Sequence, residues 1–165
     1  RSSMQHGAPS GKQVQAGEFV LMDFGAMVDG YLSDMTRTVV VGRASDEQRR
    51  VYHAVRLAQE HGLRSVRPGR VGGDVWRGMW QVIADAGYSE FAGRRFGHAL
   101  GLEIHEAPYL IEGSADVVAA GNVVTVEPGA YIPGWGGVRI EDQVVVTADG
   151  CEVINGGTKE LVELT

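Results

Sequence analysis

Four carboxylates interrupt the apolar, strand-forming stretches of this chain, and no other feature limits its fold as much. Asp23 lies in Met22-Asp23-Phe24-Gly25 and Asp34 in Ser33-Asp34-Met35-Thr36-Arg37-Thr38. Glu127 lies in Thr125-Val126-Glu127-Pro128-Gly129 and Glu141 in Val138-Arg139-Ile140-Glu141-Asp142. Asp and Glu are depleted from strands, and a carboxylate withdrawn from water needs a partner. Arg37 and Arg139 are the few cations nearby. His98 adds an imidazole in Gly97-His98-Ala99-Leu100-Gly101-Leu102-Glu103-Ile104-His105-Glu106. Four carboxylates and one imidazole converge only if cations join them. Two divalent ions resolve the charge and make a site that activates water.

Strand geometry allows the convergence. Residues 18–24 and 34–41 are rich in strand formers, and Val28-Asp29-Gly30 between them is a hairpin turn signal. A Val28-Asp29 loop gives opposed residues an index sum of 57, with Asp23 facing Asp34. An Asp29-Gly30 loop gives 59 and makes the two diagonal neighbours. Either register puts both on one face; a three-residue loop without a bulge would separate them. Residues 123–132 and 138–146 read as a second strand pair around Pro133-Gly134-Trp135-Gly136-Gly137, with Glu127 and Glu141 each seven residues from Gly134. His98 and His105, also seven apart, would face opposite ways on a regular strand, so a bulge or bend is expected between Gly97 and Pro108.

Between these strand regions the periodicity turns helical. Ser45-Asp46-Glu47-Gln48 is a capping box, and Val51, Ala54, Val55, Ala58 and Gly62 form one apolar face. A second helix is expected from about Gly73 to Ala86, with Val75, Met79, Val82, Ile83 and Ala86 on one side and Gly87 as its stop. Trp76 and Trp80 read as core, His53 and His61 as solvated.

Together these segments resemble the pita-bread metallopeptidases, the superfamily of methionine aminopeptidase, Xaa-Pro aminopeptidase, Xaa-Pro dipeptidase and creatinase. The resemblance is carried by Asp23-Phe24-Gly25, by Gly30-Tyr31-Leu32-Ser33-Asp34-Met35-Thr36-Arg37-Thr38, and by Gly97-His98 through Glu106-Ala107-Pro108. It is also carried by Val126-Glu127-Pro128-Gly129-Ala130-Tyr131-Ile132-Pro133-Gly134 and by Gly136-Gly137-Val138-Arg139-Ile140-Glu141-Asp142. These match the Xaa-Pro branch more closely than the methionine branch.

The resemblance implies an α+β pita-bread fold: one catalytic domain over residues 1–165, a curved antiparallel sheet with helices on its outer face. It implies hydrolysis of the bond between an N-terminal residue and proline in proline-containing peptides. Two divalent ions would assist, Mn or Co first, with Zn and Fe tolerated. Asp23 would chelate one ion, Asp34 and Glu141 would bridge both, and His98 and Glu127 would complete the second. Glu127 would also be the general base. His105 and His6 match histidines on the substrate side. A non-catalytic peptide-binding or scaffold member of the same fold is the alternative; an intact ligand set speaks against it, and against a creatinase-type hydrolase.

Three departures stand out. Arg94 replaces a histidine that many relatives carry before the metal histidine. Tyr109 stands where some dipeptidases place an arginine for the substrate's terminal carboxylate, so it is a substrate-side candidate that favours longer peptides. The family's first helices and opening strand have no counterpart here, so the chain reads as a C-terminal portion whose exposed sheet a homo-oligomer or another chain would cover.

Composition fits this reading. A net charge of −6 with no basic block speaks against nucleic acid. No run of 18 apolar residues indicates a membrane span. With no secretory signal pattern and one cysteine, Cys151, a cytoplasmic protein is expected.

Overall fold

The computed structural model describes residues 1–165. Its first structural unit is a long hairpin broken in the middle. Strand β1 (Phe19–Phe24) pairs with β4 (Met35–Val41), and the short β2 (Met27–Val28) pairs with β3 (Tyr31–Leu32). Both pairings keep the index sum of 59, so Asp23 faces Thr36 and lies diagonal to Asp34. The turn is Asp29-Gly30, with φ of 50° and 86°, the two positive values that a two-residue type I′ turn needs. The break leaves no room opposite Asp34: a Cβ on Gly25 would lie 1.9 Å from the Ser33 carbonyl oxygen.

A second hairpin repeats the device. Residues 123–132 and 138–146 are not two continuous strands, as the sequence suggested. They form β7 (Val123–Val126), β8 (Gly129–Ile132), β9 (Gly136–Arg139) and β10 (Asp142–Val146). Val126↔Asp142 and Gly129↔Arg139 keep one index sum across the gap, so Glu127 and Glu141 stand opposite each other within it. The backbone leaves its ladder there because other strands take its donors. Glu127 N–H bonds to the Phe96 carbonyl at 3.0 Å, and Glu141 N–H to the Thr36 carbonyl at 3.1 Å. Pro128 has no N–H to give.

The helices match their sequence signals. In α1 (Asp46–Ser65) the Ser45 side chain accepts from the Gln48 N–H while the Gln48 side chain accepts from the Ser45 N–H. Its predicted apolar face is buried. In α2 (Gly72–Asp85) Val75, Met79 and Ile83 are buried, Val82 is half-buried and Ala86 is exposed. Trp76 is buried in the core and stacks on Trp80 at 6.1 Å. His53 is exposed as expected, but His61 is half-buried, its ring over Gly78.

Two principal sheets result, not one. A five-stranded antiparallel sheet has the order β11-β10-β7-β5-β6, with β5 (Arg95–Ala99), β6 (Glu106–Ile111) and β11 (Cys151–Val153). A three-stranded sheet has the order β1-β4-β12, and β12 (Glu163–Leu164) runs parallel to β4. Helix α2 packs Met79 and Ile83 onto Phe96, Leu110, Val124 and Val144 of the larger sheet. Helix α1 serves both layers. It puts Ala58 into that core, and Val51, Tyr52 and Val55 into a second with Phe19, Val40, Val138 and Ile140. Full burial of each such side chain is worth about 1.5–3 kcal/mol. The first hairpin, which has no helix of its own, is therefore covered along β4, where Thr36 to Val40 are all buried. What stays exposed is its tip: Phe24 at the end of β1 is 55% exposed, Met27 and Val28 of β2 are 64% and 69%, and Tyr31 of β3 is 64%.

Candidate metal centre

The two hairpin breaks meet, and the meeting point brings the ligand candidates together. Asp34, His98 and Glu141 each present an atom within 4.8 Å of the others. Glu127 joins them through His98, its Oε1 lying 3.2 Å from His98 Nε2. Asp23 stands slightly apart at the rim, ion-paired with Arg139. All five line one cleft of about 470 Å³, together with His6 and His105.

Each side chain is held by a neighbour. His98 Nδ1 lies 3.0 Å from the Ala99 carbonyl, so Nδ1 carries a proton and Nε2 is the nitrogen turned toward the carboxylates, the one that a metal would take on displacing its proton. Thr125 Oγ1 accepts from the His98 N–H at 3.0 Å and donates to Glu127 Oε1 at 3.0 Å. Thr36 Oγ1 donates to Glu141 Oε2 at 2.6 Å. Gln143 Oε1 accepts from the Asp34 N–H at 3.0 Å.

The charges at this point are only partly compensated. Of the two cations that sequence reasoning set beside the carboxylates, Arg37 is engaged elsewhere, and Arg139 reaches Asp23 and, at 4.0 Å, Glu127. Arg37 pairs with Asp142 at 2.6 Å. Arg139 is bound to Asp23, Thr36, Tyr131 and the Gln5 carbonyl. No Lys or Arg nitrogen lies within 4 Å of the carboxylate oxygens of Asp34 or Glu141, although Arg37 donates to the Glu141 main-chain carbonyl at 2.5 Å. Glu141 is 1% exposed, and its Oε1 has no hydrogen-bond partner. Burial, then the charges of Glu127 and Asp34, hold its pKa well above the carboxylate range. Burial, then Asp23 and Glu127, push Asp34 up to about 6. Burial works to lower His98, but Glu127 and Asp34 outweigh it and raise its pKa. A buried, partnerless carboxylate oxygen among acidic neighbours, with an imidazole nitrogen beside it, fits a divalent cation.

The substrate-side candidates separate. His105 is exposed, its ring edge against His98 at a centroid distance of 4.4 Å. It reaches that place because the chain reverses: residues 97–108 are two antiparallel strands joined by a loop, with register shifts on either side of the His98↔Tyr109 pair. Burial, then His98 and Arg95, lower its pKa, so it is neutral near neutral pH. Tyr109 does not line the cleft; its hydroxyl donates to the His105 carbonyl at 3.4 Å. Tyr109 is the strand partner of His98 and touches the loop that carries His105. Arg95, which sequence reasoning passed over, does line the cleft.

Sequence reasoning also missed the residues that hold the ligands. Thr36 and Thr125 are fully buried hydroxyls in Val-rich strands, and each lies two residues from a ligand, Asp34 or Glu127. That placement was the available signal. Asp142, next to Glu141, is a 1% exposed hub bonded by Arg37, Gln59, Asn155 and Lys159. Its pKa is held low because Lys159 and Arg37 outweigh its burial.

Fold and site together define a pita-bread metallopeptidase domain. The chain belongs to metallopeptidase family M24, whose sequence profile matches residues 1–148. It is 38% identical to the Xaa-Pro dipeptidase of Pyrococcus horikoshii, over 98% of this chain and 46% of that protein. Among solved structures it superposes on the Xaa-Pro dipeptidase from Bacillus anthracis with a TM-score of 0.97 and 47% identity, covering 99% of this chain and 46% of that one. The X-Pro aminopeptidase from Thermotoga maritima gives a TM-score of 0.96 and 36% identity, covering 99% and 47%. The chain spans about half the length of the curated relatives it matches, and corresponds to their C-terminal portion. No helix is long and apolar enough to cross a membrane.

Proposed function

We propose that the intact protein hydrolyses the bond between an N-terminal residue and proline, using two divalent ions held by Asp23, Asp34, His98, Glu127 and Glu141. The observation that carries this is the meeting of Asp34, His98 and Glu141 at the floor of one cleft, with a buried carboxylate oxygen left without a partner. Asp34 and Glu141 would each hold both ions, Asp23 the first, and His98 and Glu127 the second. Bound there, Mn or Co first and Zn or Fe as tolerated substitutes, the ions would supply the positive charge that makes water nucleophilic near neutral pH. Glu127 accepts the water's proton and passes it to the leaving proline nitrogen. His105, neutral and on the cleft wall, donates to the carbonyl oxygen as it gains charge. His6 lines the same cleft and would contact the substrate.

The relatives named as Xaa-Pro dipeptidase and X-Pro aminopeptidase support this reading. The test is a panel of Xaa-Pro dipeptides and Xaa-Pro-Yaa tripeptides offered to the intact protein with added Mn. Hydrolysis of either series at the Xaa-Pro bond is expected. Tight Mn binding with no hydrolysis of any member would replace this reading with the peptide-binding alternative. The apolar patch at the tip of the first hairpin supports cover by another chain or another part of the protein. We further read the protein as cytoplasmic.

The acidic cluster predicts how metal binding depends on pH. Without metal, Asp34 has a pKa of about 6 in place of its ordinary 3.8, from burial first and then Asp23 and Glu127. The folded state therefore binds more protons than the unfolded state in that window. The metal-free protein loses stability as pH rises from about 4 to 6. Metal displaces that proton, so Mn affinity falls as pH drops below about 6. Calorimetry in buffers of different ionisation enthalpy reads the proton release. An affinity that stays constant between about pH 5 and 7 contradicts it.

A further inference from the structure

We propose that Gln143 is a positioning residue of the metal centre: its side-chain amide fixes the Asp34 main chain, and with it the carboxylate, where Asp34, His98 and Glu141 meet. The inference rests on the metal-dependent reading above. Asp34 lies in the gap between β3 and β4, where its N–H has no strand partner. Gln143, on β10 of the other hairpin, supplies the missing acceptor through Oε1 at 3.0 Å.

The Gln143 main chain that carries this amide is itself held from behind. Gln143 is 6% exposed. Its N–H donates to Asn155 Oδ1 at 2.6 Å, and its carbonyl accepts from the Ile154 N–H at 3.0 Å. Asn155 Nδ2 donates in turn to the buried Asp142 at 2.9 Å. Thr36 plays the matching part for Glu141 in the opposite direction, from the first hairpin to the second. The Asp34 carboxylate has no Lys or Arg nitrogen within 4 Å, and its nearest ionic contact is His98 at 3.8 Å. No ion pair of its own therefore fixes it, and the main-chain bond does. A neutral amide suits the place: it satisfies the N–H and adds no charge to a site with four carboxylates. An apolar side chain would leave a buried donor without a partner.

Gln143→Met removes the acceptor at similar volume, and Gln143→Glu keeps an acceptor oxygen. Both are compared with the unsubstituted intact protein, metal-stripped, by calorimetric titration with Mn, by Mn electron paramagnetic resonance and by thermal unfolding without metal. Gln143→Met should bind Mn about 10- to 100-fold more weakly, with an altered resonance line. Gln143→Glu should restore the affinity. If Gln143→Met does not fold, Asn155→Ala frees the Gln143 main chain from its backing and should weaken Mn binding in the same direction. A Gln143→Met protein that loses thermal stability but binds Mn as the unsubstituted protein does would overturn the assignment, as would failure of Gln143→Glu to restore binding. So would unchanged affinity in Asn155→Ala where that variant stands in. An unsubstituted protein that binds no Mn would overturn the metal reading along with it.

Discussion

Glu141→Gln should abolish turnover, by at least about 10³-fold, and reduce the bound metal from two ions to one or none. Glu141 has one carboxylate oxygen bonded to Thr36 and the other buried without any partner. Both oxygens are needed if the side chain is to hold two ions, and an amide supplies neither the charge nor the second acceptor. The loss should not come from misfolding. In the metal-free protein Glu141 is a buried acid whose ionisation its surroundings oppose. Replacing it with a neutral isostere removes that opposition, so metal-free Glu141→Gln should unfold at the same temperature as the parent or higher. Metal analysis beside thermal unfolding reads both parts. Two equivalents bound at parental affinity would remove Glu141 from the bridging role.

His105→Ala should lower kcat by about 10²–10³-fold and leave metal stoichiometry unchanged. The His105 ring lies on the cleft wall against His98, not among the atoms that converge on the metal position. It is exposed, so its loss leaves no buried cavity and little cost in stability. The effect should appear in kcat more than in KM, because the carbonyl oxygen gains charge only as the reaction proceeds. If metal content fell instead, and excess metal restored activity, His105 would be a ligand or would act through one.

The elements that local rules govern were legible before the structure. The Ser45–Gln48 capping box and the α1 face depend on neighbours within a few residues and appear as read; the turn takes Asp29-Gly30, one of the two positions the signal allowed, and the α2 face keeps Val75, Met79 and Ile83 but leaves Ala86 exposed. The hairpin register followed from the turn, which is why Asp23 and Asp34 were expected on one face. The strand breaks were not legible. Glu127 and Glu141 leave their ladder because Phe96 and Thr36, far away in sequence, take their N–H groups. A scan of strand propensity has no way to register that competition. The same holds for Arg37. Its position beside Thr36 suggested a partner for the ligand carboxylates, yet it pairs with Asp142, which Gln59, Asn155 and Lys159 also hold. The His98–His105 bend was expected from spacing, but the register shifts in β5–β6 that pair His98 with Tyr109 could not be read from it.

The account stands or falls on metal-dependent hydrolysis. The intact protein, stripped with a chelator and titrated with Mn, should be inactive on an Xaa-Pro peptide at first. It should gain activity as Mn binds and level off at two equivalents. Full activity with no metal bound, or a saturated site with no hydrolysis of any Xaa-Pro peptide, would contradict it.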